Sequence, residues 1–96
     1  MIVRYTPRAI GDISSIGDYI KSHNPQAALR VEQAIIGSID HLSHHPNLGT
    51  ARPRLSVRAL GVPRFPYTIY YRVDPNAVVT VHVRDDRRRA IRPADL

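Results

Sequence analysis

The chain contains no cysteine and no tryptophan, and Lys21 is its only lysine. Without cysteine, neither a disulfide framework nor a zinc–thiolate site is available. No apolar run reaches the roughly 20 residues needed to cross a bilayer, and the first residues lack the apolar stretch of a signal peptide. We therefore expect a soluble protein of the cytoplasm with no membrane partner.

Positive charge dominates the chain, which has 96 residues and a formal net charge of +6. This length predicts a single domain over residues 1–96. Almost all of the positive charge is arginine, which donates bidentate hydrogen bonds to carboxylates and phosphates. A GC-rich genome would also raise the arginine count, but not its clustering. The composition favours an anionic partner, either an acidic protein or nucleic acid.

Two amphipathic helices are predicted in the first half of the chain. Thr6-Pro7 and Asn24-Pro25 each combine a capping side chain with a proline suited to the first helical position. The apolar stripes, at spacings of three and four residues, are Ile10, Ile13, Ile16, Gly17 and Ile20 in the first helix and Ala28, Val31, Ile35, Ile39 and Leu42 in the second. Asp12 lies off the first stripe, so we expect it to be solvated. The short break between the helices predicts an antiparallel hairpin.

Strands are predicted on both sides of this hairpin. The first is Ile2–Thr6, and residues 43–53 are expected to be a loop. Alternating residues then predict strands at 55–60, 67–73 and 78–84, the last two joined by a tight turn. The order β-α-α-β-β-β predicts an α+β domain, an antiparallel sheet with a helical hairpin packed on one face.

The alternation also predicts which face each strand residue occupies. Odd-numbered residues of the last three strands are expected to pack against the helices. The opposite face would then be open, polar and cationic, and would present Ser56, Arg58, Thr68, Tyr70, Arg72, Thr80, His82 and Arg84.

The layout and several ordered stretches resemble the RelE/ParE toxin superfamily. These stretches are residues 3–9, Asn24-Pro25, residues 45–49, and Tyr67–Asp74 followed by a valine strand and an arginine cluster. The resemblance implies a toxin of a type II toxin–antitoxin system, inactivated by an acidic antitoxin in a hetero-oligomer. It also implies that nucleic acid is contacted only indirectly, through an operator-bound complex.

Two branches of the superfamily differ in activity. RelE-type members are metal-free, ribosome-dependent mRNA endonucleases, whereas ParE-type members poison DNA gyrase. Thr68 stands where the nuclease branch has an arginine, no tyrosine follows Tyr71, and the helical hairpin is long. These departures favour a ParE-like gyrase inhibitor that is not an enzyme. A RelE-type nuclease and a degenerate, non-toxic family member are the alternatives.

A nuclease would need a base, a cation for the phosphorane and an acid. The residues that could serve are Arg58, Arg72, His82 and Arg84. The favoured interpretation is that His82 is one polar residue on a solvated strand face.

The arginine-rich end is the predicted target contact. It consists of Arg84, Arg87, Arg88, Arg89 and Arg92, and we expect it to be a free segment beyond Val83. The alternative is a solubilising tail.

His41, His44 and His45 have spacings that a metal site could use. Only Asp40 supplies a further ligand nearby, so we expect no metal and no cofactor, and interpret the histidines as a solvated helix end.

Overall fold

The two predicted helices are α1, Pro7–Lys21, and α2, Pro25–Leu42, in a computed structural model that describes all 96 residues. The side chains of Thr6 and Asn24 each accept a hydrogen bond from the backbone N–H three residues later, at 3.1 and 3.0 Å. These bonds satisfy N–H groups that a helix start leaves unpaired. Both helix starts are therefore confirmed. Neither helix has the length and apolar character needed to span a membrane.

The helices pack on one face of a five-stranded sheet. Its strands are β1 (Ile2–Tyr5), β2 (Thr50–Arg52), β3 (Val57–Gly61), β4 (Tyr67–Asp74) and β5 (Ala77–Asp85). Their spatial order is β1-β5-β4-β3-β2, with β1 parallel to β5 and every other pair antiparallel. The α+β architecture is confirmed. The short strand β2 lies in the segment predicted to be loop, and a 3₁₀ turn at Pro53–Leu55 precedes β3 where a strand was predicted to begin.

The core lies between the sheet and α2. Ile35, Ile39 and Leu42 are fully buried and pack in one cluster with Ile69 and Tyr71 of β4. All five were predicted to face the core. Apolar surface removed from water in this way is the main stabilising contribution to a domain of this size.

Tyr71 also holds the loop after α2. Its hydroxyl donates to the carbonyl oxygen of Pro46 and accepts from the N–H of Gly49, both at 2.8 Å. A Cβ added at Gly49 would lie 2.7 Å from the Tyr71 ring, so only glycine fits this approach.

The predicted faces of β3 are wrong. Arg58 pairs with Tyr71, and Leu60 pairs with Ile69. Because directly paired residues share a face of the sheet, Arg58 and Leu60 lie on the helix side and Val57 lies on the other. Strand β3 begins after the 3₁₀ turn and a left-handed residue, Ser56 at φ 56°, so alternation counted through that turn starts in the wrong phase.

A β-bulge changes the faces of β5. The ladder with β4 slips by one residue at Val81, which has no partner on β4. Val83, which follows the bulge, lies on the helix side as predicted. In the part of β5 that precedes the bulge, the helix side is occupied by Val78 and Thr80 rather than Val79. A one-residue slip exchanges the two faces of a strand, which is why uninterrupted alternation placed Thr80 on the open face.

Candidate functional site

The sheet face opposite the helices is covered rather than open. Tyr70 is buried there, His82 is 1% exposed and Arg84 is 4% exposed. After β5 the chain turns back, so that Ala90 and Ile91 line a small cavity together with Tyr70 and Arg84. The expectation of a free C-terminal segment is therefore wrong.

Asp95 holds this segment in place. Its carboxylate accepts two hydrogen bonds from Arg89, at 2.7 and 2.8 Å, and one from the Arg92 N–H at 2.8 Å. The Arg84 guanidinium lies 3.9 Å away and donates to the Arg89 carbonyl oxygen at 3.0 Å. The Arg89 hydrogen bonds, followed by that of the Arg92 N–H, hold the pKa of Asp95 well below its usual range. We call Arg84, Arg89, Arg92 and Asp95 the tail cluster.

The remaining arginines of the C-terminal segment point outward. Arg87 is 68% exposed on its side chain and donates to Asp85 at 2.9 and 2.6 Å. These hydrogen bonds lower the pKa of Asp85 and raise that of Arg87. Arg88 and Arg92 are exposed as well. Of the five predicted target-contact residues, Arg84 is buried and Arg89 is hydrogen-bonded to Asp95. The other three, Arg87, Arg88 and Arg92, point outward.

His82 is paired with Asp12, which was expected to be solvated. The His82 Nδ1 lies 2.5 Å from Asp12 Oδ2, and the same oxygen accepts the Val83 N–H at 3.0 Å. Strand β1 pairs only with residues 77–80 of β5, so Asp12 of α1 occupies the strand edge where β1 has ended. The His82 Nε2 is buried without a hydrogen-bond partner. No periodicity in the sequence signals a pair that lies 70 residues apart.

The four candidate nuclease residues do not form one site, although Arg58 and Arg72 both line an open cleft at the edge of the sheet. Arg58 lies on the helix side and donates to the carbonyl oxygens of Asn47 and Gly49 at 3.3 and 2.7 Å. Arg72 lies on the other side and donates to Asp74 at 3.2 Å. His82 and Arg84 are the buried residues described above.

A cationic cleft lies beside strand β2, where the sequence predicted only a loop. It has a volume of about 730 Å³. Its charged lining residues are Arg52, Arg54 and Arg92, and it contains no acidic side chain. Arg52 also lies beside Tyr70, whose pKa is raised by burial and partly lowered by this arginine. Arg52 and Arg54 flank Pro53 in the sequence. Their position at the cleft depends on strand β2, which the sequence did not predict, so sequence analysis could not place them there.

An apolar groove lies between the two helices. It has a volume of about 510 Å³ and is lined by Tyr5, Ile10, Ile13, Ser14, Asp18, Glu32 and Ile36. Ile10 is more than half exposed. This groove, defined by those seven residues, is a surface that a second apolar element could cover.

The histidines at the end of α2 lie apart from both surfaces. The rings of His41 and His45 are 4.8 Å apart, and His44 Nδ1 is 2.9 Å from the Ser43 hydroxyl. No three side chains of His, Cys, Asp or Glu are grouped as metal ligands would be.

Comparison with known proteins identifies a family over most of the chain. Residues 3–90 match the sequence model described as the ParE toxin of the type II toxin–antitoxin system parDE. A solved structure described as a chromosomal ParDE system from P. aeruginosa superposes with a TM-score of 0.77 and is 26% identical. The match covers 88% of this chain and 95% of that one.

Named relatives are similar over comparable lengths. Toxin RelE2 of Caulobacter vibrioides is 33% identical over 90% of this chain and 96% of its own length. Putative toxin Y4kP of Sinorhizobium fredii is 37% identical over 74% of each chain.

Proposed function

The chain belongs to the ParE toxin family of type II toxin–antitoxin systems, and we propose that it inhibits growth by binding and poisoning DNA gyrase. A cognate acidic antitoxin holds it inactive. In this function the protein acts as an inhibitor by binding, and its own side chains make or break no bond.

The placement of His82 and Arg84 carries this proposal. Metal-free RNA cleavage needs a base or acid within hydrogen-bond reach of the substrate, and a cation at the developing negative charge. His82 is 1% exposed and its Nδ1 is already bonded to Asp12. Arg84 is also buried, beside Asp95. Both side chains are engaged in packing the sheet, and a binding function requires neither of them.

The outward arginines are the proposed target contact. Arg87, Arg88 and Arg92 are exposed, and guanidinium groups can grip carboxylates or phosphates with paired hydrogen bonds. Gyrase engaged with DNA offers both kinds of acceptor. Arg89 takes an indirect part, because its bonds to Asp95 fix the position of the segment that carries the other three.

The apolar groove is the proposed docking site of the antitoxin. An amphipathic helix covering Ile10, Ile13 and Ile36 would bury surface that is partly exposed in the free domain, as in other helix-in-groove complexes. The net charge of +6 supports an acidic partner. Because the charged residues that line the groove are Asp18 and Glu32, the acidic side chains of that partner would contact the arginines outside the groove. The P. aeruginosa structure, described as a ParDE toxin–antitoxin system, supports the existence of such a partner.

Ribosome-dependent mRNA cleavage is the second candidate. The relative named Toxin RelE2 favours it. The cationic cleft at Arg52, Arg54 and Arg92 favours it as well, because it could follow an RNA backbone. In that case the cleft, rather than the buried His82, would contact the RNA.

Two assays on the same variants separate the candidates. The toxin is purified from its antitoxin complex and added to gyrase supercoiling reactions and, separately, to a translated message followed by primer extension. We expect gyrase inhibition that is lost when Arg87, Arg88 and Arg92 are replaced together by alanine. The matched control replaces three other exposed arginines, Arg4, Arg8 and Arg30, and should inhibit normally. Codon-linked primer-extension stops without gyrase inhibition would overturn the proposal in favour of RNA cleavage.

A further inference from the structure

Arg52 lies at the junction of three clefts on one side of the protein. It lines the cationic cleft, the open cleft beside Arg58, and the small cavity beside Arg84. The cationic cleft also shares Pro53 with the open cleft and Ile91 with the small cavity. Because neighbouring clefts have walls in common, the three form one continuous surface. We call the residues that line these three clefts the arginine surface.

Positive charge is concentrated on the arginine surface. Of the 14 lysine and arginine residues of the chain, eight line its clefts. The acidic lining residues, Asp85 and Asp86, are confined to the small cavity. Asp85 already accepts hydrogen bonds from Arg87, and Asp86 accepts one from the Thr68 hydroxyl. An anionic ligand would therefore meet cations along the whole surface and carboxylates at one end only.

Much of this positive charge is not neutralised within the chain. Three of the arginines share a single carboxylate, that of Asp95, in the tail cluster. Three others, Arg52, Arg54 and Arg88, form no ion pair with any carboxylate. Neighbouring like charges repel each other and destabilise the compact state. An anion bound between them would remove this repulsion, so the surface favours a ligand with several negative charges.

We propose that the arginine surface binds a single DNA strand directly through its phosphates, an inference that goes beyond the proposed function because the toxin alone would hold the DNA. Arg52, at the junction, donates to one phosphate. Arg54 and Arg88 donate to neighbouring phosphates, in the cationic cleft and in the small cavity respectively. Paired hydrogen bonds from a guanidinium fit the oxygens of a phosphate. This contact would be direct, whereas the family resemblance implies contact only through an operator-bound complex.

The lining of the cationic cleft suits an unpaired strand of deoxyribose sugars. Apolar side chains lie among its arginines, including Leu55 and Ile91, and these can contact the sugars. Arginine only donates hydrogen bonds, so no side chain of this cleft can accept one from the 2′-hydroxyl that distinguishes RNA. A DNA duplex is stiff over the length of such a site, whereas a single strand can follow a charged groove.

Binding of a fluorescent oligothymidylate of about 12 nucleotides tests this surface, measured by fluorescence anisotropy with toxin purified from its antitoxin complex. In the double variant Arg52→Ala/Arg54→Ala we expect about tenfold weaker binding. The slope of log Kd against log salt concentration should fall by about 1.4, because each phosphate contact of a single strand contributes about 0.7. Both residues are exposed, so the melting temperature should be unchanged. Arg8→Ala/Arg30→Ala removes the same charge from exposed positions on the helices and should retain the affinity and the slope.

Four results would overturn the proposal. The first is that the wild type binds no oligothymidylate, and the second is that both double variants lose affinity equally, so that only net charge matters. The third is binding at least as tight to an oligouridylate or to a DNA duplex of the same length. The fourth is equal binding of an oligoglutamate peptide, which would assign the surface to an acidic protein. Because the assay contains no gyrase, none of these results affects the gyrase assignment, and a toxin that fails to inhibit gyrase can still bind the strand.

Discussion

The two faces of the sheet are held by different kinds of interaction. On one face, the side chains of α2, such as Ile35 and Ile39, pack against Ile69 in an apolar cluster. On the other face, the C-terminal segment is held by the tail cluster around Asp95. The first face is stabilised by apolar burial, and the second by charged hydrogen bonds.

Because of this difference, one face mainly stabilises the fold and the other mainly positions the outward arginines. Apolar burial is non-directional and scales with area, so the helix face stabilises the domain as a whole. Charged hydrogen bonds depend on direction and on protonation, and here they determine where the outward arginines lie. We therefore expect changes on the helix face to affect global unfolding, and changes in the tail cluster to affect mainly the C-terminal segment.

Ile39→Ala should have the largest effect on global stability. Ile39 is fully buried, and replacing a buried isoleucine with alanine typically costs 2–5 kcal/mol, roughly, through lost transfer energy and a residual cavity. Urea denaturation of the purified domain measures this loss in the free energy of unfolding. Ile36→Ala is the matched control, because Ile36 is 36% exposed on the same helix. Equal losses for the two variants would contradict an apolar core on this face.

Asp12→Ala should have the next largest effect. The Asp12 carboxylate accepts hydrogen bonds from His82 Nδ1 and from the Val83 N–H. Its removal leaves both donors without an acceptor, and one hydrogen bond to a charged group contributes about 1.5–3 kcal/mol. We expect a loss of about 2 kcal/mol in the free energy of unfolding. Asp18→Ala, an exposed position on the same helix, should change it little; a similar loss there would contradict a specific role for Asp12.

The elements that the sequence predicts well are those specified by neighbouring residues. Each helix has a cap, a proline at its first position and an apolar stripe, all within one continuous segment. Strand β4 alternates without interruption, so Ile69 and Tyr71 were placed correctly. Local periodicity is sufficient for such elements.

The incorrect predictions concern contacts between distant residues. Valine can occupy either face of a strand, and β5 contains four valines, Val78, Val79, Val81 and Val83. The alternation pattern therefore cannot locate the bulge. The run Arg87–Arg89 has the composition of a solvated tail, and only the folded chain shows that Arg89 bonds to Asp95 and Arg87 to Asp85. Most of the fold was therefore predictable, whereas the division of the arginines between buried and outward positions was not.

Asp95→Ala should loosen the C-terminal segment with a smaller effect on global unfolding than Asp12→Ala. The substitution removes the acceptor shared by Arg89 and the Arg92 N–H. Amide hydrogen exchange should rise in residues 86–96 and remain slow in α2. Asp74→Ala removes an exposed pair with Arg72 and should leave the segment protected. If exchange rises equally throughout the chain, the segment is part of the global folding unit, and the contrast between the two faces fails.

Acidification should act on the tail cluster before it acts on the apolar face, and its effect should be the smallest of the four. The pKa of Asp95 in the folded chain is lowered by Arg89 and the Arg92 N–H, whereas in the unfolded chain it should lie near the usual value of about 3.9. The stabilisation is therefore complete above about pH 4 and is lost as the pH falls through the lowered value. We expect NMR signals of residues 90–96 to lose their native shifts at acidic pH while those of Ile35 and Ile39 persist. Asp95→Asn cannot titrate, so its C-terminal signals should no longer show this step. Simultaneous loss of both sets of signals in the wild type would show that the two faces do not differ in their response to pH.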